Sequence, residues 1–184
     1  MNPKPMLPTH QHLRLITAFI AKPLISISLL ILLFGITANA RAIENCATAP
    51  TSSLVVYVKD KGAKGNGSAD DTAAIQAAVD QVAGTGGTVL VPDGTYLIDA
   101  VTSIKLKSAM TLRMSKGTQL KALPNGKEGY SIINIIDASN INIIDGTLIG
   151  ERDEHTGTTG EWGMGITLRG ATNAVIQGVT AKNG

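Results

Sequence analysis

The sequence predicts an all-β solenoid, a stack of short strands fronted by one capped α-helix. Three observations predict it. From residue 54 onward, short apolar runs alternate with turn residues. One helical period, over 70–83, stands ahead of most of these runs. Two segments near the C-terminus look like copies of each other, the mark of a repeat architecture. A β-sandwich of regular strands is the competing arrangement, and the helix at the front favours the solenoid.

The stretch 57–98 organises the chain. It runs as strand, glycine-rich loop, helix, strand, tight turn and strand. Ile75, Ala78, Val79 and Val82 fall at i, i+3, i+4 and i+7, one apolar stripe on a 3.6-residue period. Ser68 and Asp71 have the spacing of a capping box, and Asp70 and Asp71 stand near the positive end of the helix dipole. Gly84 closes the helix by accepting a left-handed conformation. Asp93-Gly94 is the tight turn between the two apolar runs that follow.

The later strands are expected at 103–106, 110–114, 118–122, 132–136, 140–144, 147–149, 166–168 and 174–176. Pairs such as Ile104/Leu106, Leu112/Met114 and Ile141/Ile143 alternate, so one face packs inward. Ser139-Asn140-Ile141-Asn142-Ile143-Ile144-Asp145-Gly146 matches Thr172-Asn173-Ala174-Val175-Ile176-Gln177-Gly178 with one residue missing from the second copy. The offset is long, and the insertion 150–163 accounts for it. Asn140 and Asn173 then occupy equivalent bends, where asparagine tolerates left-handed angles and hydrogen-bonds its neighbour in the stack. Asp137 and Asp145 are expected at turns.

The stretch Gly62-Ala63-x-Gly65-x-Gly67-x-x-Asp70-Asp71-Thr72-x-x-Ile75-Gln76-x-Ala78, followed by Gly86-Gly87-Thr88-Val89 and Val91-Pro92-x-Gly94-x-Tyr96, resembles the opening of pectate-lyase-like proteins. That group includes polygalacturonases, rhamnogalacturonases and alginate C5-epimerases. The resemblance implies a right-handed parallel β-helix over 54–184 with the helix plugging its N-terminal end. It also implies a carbohydrate-active protein, with acidic plant or microbial polysaccharide as partner. The catalytic segments that the resemblance leads one to seek, Asn-Thr-Asp, Gly-His-Gly and Arg-x-Lys, do not occur here in that arrangement, and the one Asp-Asp belongs to the helix start. No catalytic residue is assigned on this chain. No cofactor and no metal site are expected.

Before residue 54 the reading is of export. Lys4, Arg14 and Lys22 precede an apolar run at 24–38, and Ala38-Asn39-Ala40 fits a small-x-small cleavage pattern. Residues 1–40 are expected to be a cleaved signal peptide, 41–53 a flexible lead-in, and the protein secreted or periplasmic with no stable membrane anchor. Those three cations belong to a total of 16 Lys and Arg; the other thirteen face 14 acids, so the formal charge of +2 becomes −1 after cleavage. No basic tract remains to bind nucleic acid. Cys46 is the only cysteine, so no internal disulfide staples the fold.

Residues 150–163 gather the chemistry. They hold Glu151, Asp153, Glu154 and Glu161, with Arg152, His155 and the chain's only tryptophan, Trp162. Trp162 has the flat face for stacking on a sugar, and Arg152 the fork for a uronate carboxylate. Arg152, His155, Glu161 and Trp162 are the expected substrate-binding residues. The competing reading is that Trp162 covers the flank of the stack while the charges solvate an insertion. The chain stops amid its strand rhythm at Gly184, as expected of an N-terminal portion. A polygalacturonase- or rhamnogalacturonase-like hydrolase is the first functional expectation. An epimerase or lyase on the same scaffold is the second, and a non-catalytic adhesin or tailspike the third. Oligomeric state is not legible.

Overall fold

The computed structural model describes residues 52–159 and 162–184. The leader at 1–40, most of the 41–53 lead-in, Cys46 and Glu161 lie outside the described residues. The chain coils in successive turns. The first turn has β1 (Val55–Tyr57), a 3-10 turn at Val58–Lys61, β2 (Asn66–Asp70) and α1 (Thr72–Val82). The second has β3 (Thr88–Val91), β4 (Gly94–Ile98) and β5 (Ile104–Leu106). The third has β6 (Met110–Met114), β7 (Thr118–Ala122) and β8 (Gly129–Ile136). The fourth has β9 (Ser139–Ile144), β10 (Thr147–Ile149), a 3-10 turn at Arg152–Glu154 and β11 (Trp162–Arg169). β12 (Thr172–Gln177) and β13 (Thr180–Lys182) follow.

Strands of successive turns stack in parallel into three sheets. The first sheet is β1-β3-β6-β9-β12, the second β2-β4-β7-β10-β13, and the third β5-β8-β11. Alternation makes the core. Val89, Leu112 and Ile143 stack in register and are fully buried, as are Tyr96 and Leu120 with Leu148 above them. Ile104 and Ile133 do the same in the third sheet. Each such aliphatic side chain contributes about 1.5–3 kcal/mol by leaving water.

α1 buries the stripe expected of it: Ile75, Ala78, Val79 and Val82 have no exposed surface. The helix packs beside β1, β3 and β5. Its start differs from the capping box. The helix begins at Thr72, and Ser68 lies within β2. Asp71 is the N-cap but makes no side-chain cap bond; its carboxylate turns back and accepts the backbone N–H of Lys64 at 2.5 Å and of Gly65 at 2.8 Å. Asp70 takes the N–H and hydroxyl of Thr72 instead, at 2.9 and 2.6 Å. Those loop amides have no ladder partner, which makes Asp71 more useful to the loop than to the helix. Gly84 does have the left-handed conformation, with φ of 73° just past the C-cap Ala83.

The repeat is real, but no residue is missing from it. Thr172 pairs with Ser139 and Thr180 with Thr147, one constant offset through both strands and the bend between them. Gly178 therefore stands over Asp145, and both have positive φ, 68° and 58°. Matching glycine to glycine hid this, because the shared property is the left-handed backbone. Asn140 and Asn173, at φ 58° and 51°, occupy the equivalent bends expected of them.

Corner loops and the groove on the third sheet

The corners of the coil are unequal. Between first and second sheets the links are 58–65 in the first turn and then 92–93, 115–117, 145–146 and 178–179; between second and third they are 99–103, 123–128 and 150–161. From the second turn on, the long links therefore collect at one corner, which borders the third sheet.

The outer face of that sheet carries a groove of about 350 Å³. Its wall includes Ser131, Asn134, Thr167 and Arg169, with apolar Ile136 and Met164 beside them. The polar groups are set by the stack. Ser131 Oγ lies 2.6 Å from Thr167 Oγ1, and Asn134 Nδ2 donates to Ser103 Oγ at 2.9 Å. Among the described residues, no carboxylate lines this groove. Asp99 opens the second-turn corner loop, and the Thr102 hydroxyl bonded to it holds its carboxyl below the usual range.

The fourth-turn corner loop lies on the third-turn one. Thr156 N–H donates to the Asn125 carbonyl at 3.0 Å, and Trp162 N–H to the Glu128 carbonyl at 2.6 Å. Lys121 bridges to Glu154 at 2.9 Å. The 3-10 turn at Arg152–Glu154 brings Glu151 and His155 together, with Nδ1 and Oε1 2.8 Å apart. The Glu151 side chain is wholly buried. Its Oε1 also accepts Asn125 Nδ2 at 3.2 Å, and its backbone N–H donates to the Tyr130 hydroxyl at 3.1 Å. Among the described residues, Glu151 Oε2 and His155 Nε2 are buried without hydrogen-bond partners.

The expected site residues thus face different partners. His155 turns inward onto Glu151, with a tenth of its side chain exposed. Arg152 is on the exposed side of the turn and donates to the Gly184 carbonyl. Trp162, 70% exposed, opens β11 and pairs with Gly129, which lines the groove. Sequence reasoning passed over Glu151 as one acid among four, and over Ser131, Asn134, Thr167 and Arg169 entirely. The i, i+4 spacing of Glu151 and His155 was the available signal for the first. Among the described residues, no three His, Cys, Asp or Glu side chains cluster to hold a metal ion.

Residues 55–142 match the family model described as rhamnogalacturonase A/epimerase, pectate lyase-like. The chain is thus similar to the pectate-lyase-like β-helix proteins. The chain is 33% identical over 146 residues to an uncharacterized Bacillus subtilis protein, YclG, spanning 70% of this chain and 25% of YclG. It is 35% identical over 119 residues to the mannuronan C5-epimerase AlgE5 of Azotobacter vinelandii, spanning 57% of this chain and 12% of that one. The solved A-module of the mannuronan C-5 epimerase AlgE6, from the same organism, superimposes with a TM-score of 0.60 at 26% identity, covering 69% of this chain and 37% of the module. The chain therefore spans a minor part of each of these relatives.

Proposed function

We propose that this chain is the front portion of a secreted protein acting on acidic, uronic-acid-rich polysaccharides, and that the glycan lies in the groove of the third sheet. The observation that carries this is the make-up of the groove. It has hydroxyl and amide groups, Arg169 in its wall, the exposed Trp162 paired beside its lining residue Gly129 and, among the described residues, no lining carboxylate. A carboxylate there would repel a polyanion, whereas a guanidinium grips uronate in a bidentate fork.

The family match and the relatives support polysaccharide chemistry as the wider activity. Hydrolysis of the polygalacturonase or rhamnogalacturonase type is one reading. The likeness to two mannuronan epimerases favours C5-epimerisation as the second. Either needs an acid–base pair within reach of the sugar, supplied in this reading by turns of the whole protein beyond the residues that line this groove. The coil in this reading is right-handed, the hand of about 98% of parallel crossovers, with α1 covering its N-terminal end. Export follows from residues 1–40, with cleavage after Ala40; N-terminal sequencing of exported protein that begins at Met1 would overturn it.

Titration calorimetry with galacturonate, mannuronate and neutral xylose oligomers tests the reading. Binding is expected for at least one acidic oligomer and not for the neutral one. Equal affinity for the neutral oligomer, or undiminished affinity in Arg169→Ala, sinks it.

A further inference from the structure

We infer that Glu151 and His155 form a latch that locks the fourth-turn corner loop onto the third-turn loop and so sets Trp162 at the rim of the groove. This deepens the binding reading above and rests on it.

The latch is built from both loops. Glu151 Oε1 holds His155 of its own loop and Asn125 of the loop beneath, at 2.8 and 3.2 Å. Asn125 in turn accepts the N–H of Thr156 through its backbone carbonyl. Glu151 is tied a third time, through its own N–H, to the Tyr130 hydroxyl on β8. The ring of His155 is backed by Gly157, where an added Cβ would come within 2.3 Å of Nε2. Only glycine lets the backbone lie against the imidazole.

The charges around it are accounted for elsewhere. Lys121 pairs with Glu154, and Arg152 with the Gly184 carbonyl. Among the described residues, no lysine or arginine pairs with the buried Glu151 carboxylate. A carboxylate out of water keeps its place only while its donors are held in good geometry. Removing either donor breaks the side-chain tie between the loops, because the Glu151 carboxylate bonds to a side chain of each, and leaves backbone bonds such as that of Thr156 to Asn125 to hold them. Downstream, the backbone N–H of Trp162 donates to the Glu128 carbonyl of the lower loop, so the separation of the loops bears on the backbone that carries the indole.

The test uses the full chain, in which Trp162 is the only tryptophan, so indole emission reports on that residue alone. Steady-state anisotropy of Trp162 is measured together with affinity for galacturonate and mannuronate trimers, in wild type, His155→Ala, His155→Gln and Glu151→Ala. His155→Ala is expected to lower the anisotropy and weaken trimer binding at least fivefold. His155→Gln, which still offers an N–H to Glu151, is expected to return both to within twofold of wild type. A folded His155→Ala chain with unchanged anisotropy overturns the latch, and so does His155→Gln behaving like His155→Ala. If Glu151→Ala does not fold, the two His155 variants decide alone. If no trimer binds wild type but the anisotropy falls in His155→Ala and recovers in His155→Gln, the latch stands and the binding reading falls.

Discussion

The side-chain amide of Asn173 donates to the side-chain carbonyl of Asn140 at 3.1 Å, across one turn of the coil. Both residues sit at positive φ, and Ala109 and Gly86 occupy the same bend on earlier turns, also at positive φ. The left-handed bend is thus the constant feature of this corner, and asparagine adds a bond to it.

Asn140→Ala should therefore cost about 1–2 kcal/mol, combining left-handed strain with the lost bond. Asn140→Gly should cost less, because glycine accepts the backbone angle. Urea midpoints of the two variants provide the comparison. Equal losses would mean that the backbone angle is unimportant.

Asp71→Ala should destabilise the chain by about 3 kcal/mol, since it strips the acceptor from two backbone N–H groups inside the first turn. Asp71→Asn, which keeps one acceptor oxygen, should lose roughly half as much. Amide exchange at Lys64 and Gly65 should accelerate in both. Exchange confined to the start of α1 would restore the capping role to Asp71.

Tyr96 gives a pH signature. Its ring is buried, its hydroxyl donates to the Pro92 carbonyl at 3.0 Å, and burial together with Asp71 and Asp93 pushes its pKa up to about 12. The folded chain holds this proton more tightly than the unfolded chain, whose tyrosine has the ordinary value of 10.0. Its contribution to stability is thus complete below pH 10 and is lost as pH rises towards 12. Ultraviolet titration should show a tyrosinate component late enough to be absent from Tyr96→Phe.

Trp162→Ala should weaken binding of an acidic oligosaccharide about tenfold, from an aromatic contact of about 1–1.5 kcal/mol. Trp162→Phe should recover part of it. Calorimetry on folded variants decides, and an unchanged affinity in Trp162→Ala removes the indole from the site.

Much of the fold was legible because it is local. The stripe Ile75–Val82 and the alternation of Leu112 with Met114 need only near neighbours, and the structure buries those side chains. β2 was missed because Asn66, Gly67, Ser68 and Asp70 have low strand propensity, and its pairing with β4 is irregular. The site was less legible for a different reason. Glu151 is buried by a loop from the preceding turn, and Ser131 meets Thr167 only through stacking. Neither contact leaves a period or spacing that a single sequence displays.

The inequality of the corners has a consequence for how such a chain can vary over generations. At 123–128 and 150–161 added codons lengthen a loop whose ends stay fixed by the stack, and each doubling of its length costs only about 0.6 kcal/mol. At 145–146 or 178–179 a single added codon would instead turn the following strand over, exchanging its inner and outer side chains. Mutation can therefore rewrite the rim of the groove length by length while the stack beneath it stays unaltered. Past the first turn, novelty is channelled to one edge of the molecule by the geometry of the others.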